Sequence, residues 1–150
     1  MSHRILFVCL GNICRSPSAE GVLRAKADGL GVRLEIDSAG TGDWHVGEPP
    51  YGSMQAAAKA RGYDLSPLRA RQVTAQDFYD FDLIIAMDES NLSNLSRIQP
   101  AGARATVALF TDYAAHTGAD HVPDPYYTRD FDGCLDLVEH CADGLLAELG

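Results

Sequence analysis

Short apolar runs alternate along this chain with longer stretches of helical spacing. Ile5 to Leu10 is an unbroken apolar run bounded by Gly11-Asn12, which predicts a strand buried on both faces. Ser16-Pro17-Ser18-Ala19-Glu20 reads as a helix start, with Ser16 at the cap and Pro17 in the first turn. Ala19, Val22, Leu23, Ala27 and Leu30 continue that helix, and Gly29 and Gly31 end it. Arg33 to Ser38 alternates polar and apolar and predicts a second strand. Ser53 to Ala60 predicts an Ala-rich helix closed by Gly62, and Thr74-Ala75-Gln76-Asp77 the cap of a short one. Leu83 to Met87 and Thr106 to Phe110 complete the strands, with a helix over Ser90 to Ile98 between them. Phe131 to Leu149 is the last helix, with Cys134, Val138, Cys141, Leu145 and Leu149 on one face. Residues 39–50 and 112–130 read as long loops. Strands alternating with helices predict a three-layer α/β/α domain, its four-stranded parallel sheet covered by helices on both faces. Such sheets bind ligands at the carboxyl ends of their strands.

The length of 150 residues fits a single domain spanning 1–150, and no linker-like shift interrupts it. Twelve basic against 21 acidic residues leave a net charge of −9, which argues against general nucleic-acid or anionic-membrane binding. An anionic ligand would need a local device that overcomes this field. No run is long enough to span a membrane, and Ile5 to Leu10 is too short for a signal peptide. Four cysteines without paired CxxC spacing exclude a disulfide scaffold and a zinc ribbon. A cytoplasmic monomer in a reducing compartment is the expectation. The histidines lack metal-ligand spacing and the glycines form no nucleotide motif, so neither a metal nor a cofactor is expected.

The chemistry concentrates in Cys9-Leu10-Gly11-Asn12-Ile13-Cys14-Arg15-Ser16. A Cys-x5-Arg spacing is weak by itself. Here, however, the cysteine ends a predicted strand and the arginine precedes a helix. Successive amides of such a loop can point inward as an anion nest, and the helix adds the positive end of its dipole. Arg15 offers a planar fork of donors to two phosphate oxygens. The same cationic surroundings favour the thiolate of Cys9, the nucleophilic form, and Ser16 can hydrogen-bond it. Gly11 is expected to take a positive φ, and Asn12 tolerates one.

Val8 to Pro17 resembles the phosphate-binding loop of low-molecular-weight protein tyrosine phosphatases. Asp37-Ser38-Ala39-Gly40-Thr41, Asp43-Trp44-His45-Val46-Gly47, Arg71-Gln72-Val73, Met87-Asp88-Glu89-Ser90-Asn91-Leu92 and Asp124-Pro125-Tyr126-Tyr127 also match signatures of that family, in order. The resemblance implies hydrolysis of a tyrosine-phosphorylated protein through a phosphocysteine intermediate. Cys9 would be the nucleophile and Arg15 the phosphate clamp. Leu10, Gly11, Asn12, Ile13, Cys14 and Ser16 would form the binding loop. An Asp between prolines reads by itself as a turn residue; the resemblance makes Asp124 the general acid. It makes Trp44, Tyr126 and Tyr127 the walls of a slot for a phenyl ring, with Ile13 as a further apolar wall. A Thr stands at the Ile13 position in related arginine phosphatases, so Ile13 favours phosphotyrosine. Asn12, Ser38 and Asp88 fall where the family keeps a supporting polar network. A histidine that some members carry before the Arg-Gln-Val stretch is missing, since Leu68-Arg69-Ala70 precedes Arg71. The resemblance also implies reversible disulfide formation between Cys9 and Cys14 under peroxide. Two rivals share the loop. An arsenate reductase would need resolving cysteines in mid-chain, where none lies between Cys14 and Cys134. A non-catalytic phosphate-binding module would have no need of Cys9, Arg15 and Asp124 together.

Overall fold

The computed structural model describes residues 3–149. Four strands, β1 (His3–Cys9), β2 (Leu34–Gly40), β3 (Leu83–Ala86) and β4 (Thr106–Leu109), form one sheet in the order β2-β1-β3-β4. Every pairing is parallel, with Cys9 opposite Gly40 and Val8 opposite Ala86. Helix α1 (Arg15–Leu30) links β1 to β2. Helices α2 (Gly52–Ala60) and α3 (Asp77–Asp80) lie between β2 and β3, and α4 (Glu89–Ile98) links β3 to β4. A 3-10 helix at Phe110–Thr117, the single turn α5 (Pro125–Thr128) and α6 (Phe131–Leu149) complete the chain.

The apolar run of β1 is continuous because both of its faces are buried. Ile5, Phe7 and Cys9 point into a core formed with α1, α2, α6 and the 3-10 helix. Leu6 and Val8 point into a second core with Phe78 of α3 and Leu95 of α4. The expected three-layer architecture with a four-stranded parallel sheet is therefore the one observed. The chain leaves β1 toward β2 on one side and returns to β3 on the other. The carboxyl end of β1 is thus the point where the winding reverses, the place where such sheets open a crevice. No helix among the described residues is long and apolar enough to cross a membrane.

Several boundaries differ from the sequence expectation. Helix α1 begins at Arg15, with Cys14 at the cap and no side-chain cap bond, so Ser16 lies inside the first turn. Its hydroxyl is used elsewhere, as described below. Gly29 stays helical, and only Gly31, at φ 69°, ends the helix in the left-handed region. The last strand ends at Leu109, and a 3-10 helix from Phe110 runs into the segment expected as a loop from Asp112, which also holds α5; both are shorter than the windows over which periodicity is read.

Helix α6 crosses the 3-10 helix so closely that a Cβ at Gly144 would run into the backbone carbonyl of Tyr113. Gly144→Ala is expected to lower stability by about 1–3 kcal/mol through overpacking, reduced by the ~1 kcal/mol that alanine's helix propensity returns. Thermal unfolding followed by circular dichroism measures this; an unchanged or raised Tm would contradict the close crossing.

Candidate active site

Four connections at the carboxyl edge of the sheet converge on the crevice. β1 ends at Cys9, whose buried sulfur lies 3.0 Å from Ser16 Oγ and accepts from the Asn12 amide at 3.3 Å. Among the described residues, the amides of Gly11, Ile13 and Cys14 have no protein acceptor. With the first amides of α1, which no helix can satisfy internally, they leave donors free at one end of the loop. The positive φ falls on Asn12, at 58°, and not on Gly11 as expected. Asn12 holds that conformation because its side chain is fixed on both sides: Oδ1 accepts from the Arg71 amide at 3.0 Å, and Nδ2 donates to Ser16 Oγ and Ser38 Oγ. A Cβ at Gly11 would lie 3.1 Å from His45 Cδ2, a tight contact to which the His45 ring would have to give way.

Arg15 is the electrostatic centre. It is only 2% exposed. Its Nη1 donates to Asp88 Oδ2 at 2.7 Å and to the Val122 carbonyl at 3.0 Å, and Nη2 lies 3.5 Å from Asp124 Oδ2. Its Nε is the only buried side-chain nitrogen among the described residues that lacks an acceptor. Burial works against the guanidinium charge, but Cys9, Asp88 and Asp124 together outweigh it and hold Arg15 above its ordinary value. Asp88 serves two ends, since its Oδ1 caps α4 through the Asn91 amide. Val122 is tied by its own amide to Met87 O, just after β3. Asp124 caps α5 by accepting from the Tyr126 amide, and Pro125 fits the first position of that turn.

A cleft of about 250 Å³ opens above Cys9. Leu10, Gly11, Ile13, Cys14 and Arg15 line its floor, and Trp44, Asp124, Tyr126 and Tyr127 its walls. Asn12 and Ser16 stand behind the loop. Trp44 and Tyr127 are 67% and 72% exposed, so one aromatic face of each is open to a ligand. Tyr126 packs edge-on against Tyr51, and the Tyr51 amide donates to the Ile13 carbonyl, so this wall is braced by the loop itself. His45 also lines the cleft, with Nδ1 2.9 Å from Glu48 Oε2. It is next to Trp44 in the chain, yet nothing in the sequence assigns it a role. All four cysteines are free. Burial pushes the Cys14 thiol well up, with the charges of Asp124 and Cys9 adding to it. Burial likewise raises Cys134 and Cys141, each to about 12. No cluster of metal-ligating side chains occurs among the described residues.

Sequence reading also missed Glu20. It is 4% exposed, accepts from Ser38 Oγ at 2.7 Å, and pairs with Arg24 at 2.7 Å. The bonds run from Glu20 through Ser38, Asn12 and Ser16 to the Cys9 sulfur, and every link is buried. No histidine precedes Arg71, and the Arg71 backbone amide itself supports Asn12. The Arg71 side chain is fixed by Asp37 at 3.1 Å and Asp77 at 3.0 Å.

Burial holds Glu20 above the usual carboxylate range, opposed by the bonds from Ser38 and Arg24. The folded chain then binds this proton more tightly than the unfolded chain. Its contribution to stability is complete below the unfolded value and is lost as pH rises through the folded one. Glu20→Gln cannot ionise, so its stability relative to the parent should rise as pH climbs above about 4 in urea titrations. A difference that stays flat would contradict the assignment.

A family model described as low molecular weight phosphotyrosine protein phosphatase matches residues 4–150. A low molecular weight protein-tyrosine-phosphatase of Streptomyces coelicolor is 46% identical over 154 residues, spanning 98% of this chain and 93% of the relative. The crystal structure of YfkJ from Bacillus subtilis is similar with a TM-score of 0.94 and 39% identity, covering 99% of this chain and 95% of that one. The drosophila arginine phosphatase DARP gives 0.91 at 31% identity, covering 97% and 96%. A match over essentially the whole length, with the cysteine-to-arginine loop at the head of β1, makes this chain a member of the low molecular weight phosphotyrosine protein phosphatase family.

Proposed function

We propose that this chain hydrolyses phosphotyrosine in proteins through a phosphocysteine intermediate. The observation that carries this reading is the buried Nε of Arg15, a cationic donor with no acceptor beside unpaired loop amides and the Cys9 sulfur. An unmatched donor in such a place costs free energy unless a ligand completes it. A phosphoryl group does so, with its oxygens on the amides and guanidinium and its phosphorus facing the sulfur.

In the first step the Cys9 thiolate attacks phosphorus, an S–P bond forms and the bond to the tyrosine oxygen breaks. Asp124 delivers its proton to that oxygen. In the second step water attacks the phosphocysteine, Asp124 takes a proton from the water, and inorganic phosphate leaves with the thiolate restored. The loop amides and Arg15 stabilise the equatorial oxygens in both steps, the main source of rate in phosphoryl transfer. The Ser16 hydroxyl and Asn12 amide stabilise the sulfur as a leaving group. Trp44, Tyr126 and Tyr127 hold the phenyl ring, and Ile13 offers it an apolar edge. The reading places the reaction in the cytoplasm, where a free Cys9 persists.

Arginine phosphatase activity is the second reading, given the similarity to DARP. Ile13 favours tyrosine, because an apolar side chain at the floor cannot hydrogen-bond a guanidinium.

Cys9→Ser is expected to abolish turnover of aryl phosphates. Asp124→Ala should slow it by about 10²–10⁴ for phenols that leave poorly, and much less for those that leave well. Steady-state rates over a series of substituted phenyl phosphates measure this, and an equal loss across the series would contradict Asp124 as the acid. Ile13→Thr should shift the ratio of phosphoarginine to phosphotyrosine hydrolysis upward; a ratio that does not move would remove Ile13 from the discrimination.

A further inference from the structure

A second groove, of about 350 Å³, lies across Trp44 from the catalytic cleft and shares Trp44 and Leu10 with it as walls. Neither Cys9 nor Asp124 lines it. Its other side is the carboxyl half of α4, which supplies Asn94, Arg97 and Ile98, while Thr41 and Gln72 close one end. No carboxylate lines this groove, on a chain with 21 acidic and 12 basic residues.

Arg97 is the charged group there, and among the described residues it makes no ion pair. Its one side-chain bond, Nη1 to Asn94 Oδ1 at 3.3 Å, leaves most of its N–H donors free. Most other arginines of this chain are held by carboxylates, as Arg4, Arg15, Arg24, Arg61, Arg71 and Arg104 are. The Thr41 hydroxyl is buried without a partner. Gln72 is tied to the Thr41 carbonyl through Nε2.

We propose that this groove is a substrate subsite that takes an acidic side chain close in sequence to the phosphotyrosine. The proposal rests on the phosphotyrosine reading above and adds to it a preference for sequence context. A ring held against Trp44 puts the substrate backbone across the mouth of the cleft. An extended chain advances about 3.3–3.6 Å per residue, so a side chain one to three positions away passes over the indole edge to the second groove. The local cation there meets a carboxylate, and Ile98 and Leu10 receive its aliphatic stem. Without Arg97 the field of a chain at −9 would disfavour such a peptide.

The test compares kcat/KM for phosphotyrosine peptides carrying Asp or Glu, Ser, or Lys at each of the three positions on either side. Parent enzyme, Arg97→Gln and Arg97→Glu are assayed alongside a small aryl phosphate that reaches only the cleft. The parent should prefer one acidic position over serine by about two- to five-fold, the range of an exposed ion pair, and the preference should shrink as salt rises. Arg97→Gln should remove it and Arg97→Glu should invert it toward lysine, with aryl phosphate turnover unchanged in both. A parent that favours serine or lysine at every position overturns the subsite, as does an acidic preference that survives in Arg97→Gln; normal aryl phosphate turnover then leaves the catalytic reading standing. Absence of aryl phosphate turnover in the parent overturns both together.

Discussion

The guanidinium of Arg15 holds three parts of the molecule in one place. It is buried at the first position of α1, and it reaches Asp88 at the start of α4, the Val122 carbonyl and Asp124 at the cap of α5. A charge so far from water is tolerated only when paired and hydrogen-bonded, and the pairing here is incomplete on one side. Nε is left without a protein acceptor, in a residue that lines the cleft. The fold thus leaves one cationic N–H without a protein acceptor, the donor that the proposed function assigns to an oxyanion. The cation proposed to bind the ligand also fixes the segments around Asp88, Val122 and Asp124.

The parallel sheet makes this arrangement possible. Residues far apart in sequence arrive together because β1, β2, β3 and β4 all end on the same edge. Cys9, the Trp44 loop, Asp88 and the Asp124 turn follow the ends of successive strands. Behind the loop, the buried bonds from Glu20 to the Cys9 sulfur fix the Asn12 and Ser16 side chains from the side opposite the ligand. The loop is held from behind by Asn12, so its free amides do not depend on a ligand for their geometry.

Much of this was legible in the chain. The apolar runs Ile5 to Leu10 and Leu83 to Met87 mark strands buried on both faces, and the spacing from Phe131 gives α6 with its observed bounds. What failed, failed for physical reasons. Ser16 has the chemistry of a helix cap, but its hydroxyl is drawn to the Cys9 sulfur and to Asn12, which no local pattern reveals. Gly11 permits a positive φ, yet the strain goes to Asn12, whose amide is held by Arg71, 59 residues away. Glu20 reads as an ordinary polar residue in the first turns of α1. Its burial follows from Ser38 on the neighbouring strand, a tertiary fact. His45 stands in a segment matched as a whole, and nothing in its spacing assigns it to the cleft.

The central claim is that an oxyanion seats on the Arg15 guanidinium and loop amides directly over the Cys9 sulfur. Alkylation by iodoacetate tests it, with inorganic phosphate titrated as the competitor and the label located by peptide mapping. The account predicts modification confined to Cys9 and slowed in proportion to phosphate occupancy, while Cys14, Cys134 and Cys141, raised by burial, stay unlabelled. Label on the buried cysteines at the same rate, or labelling of Cys9 that phosphate leaves untouched, would contradict it.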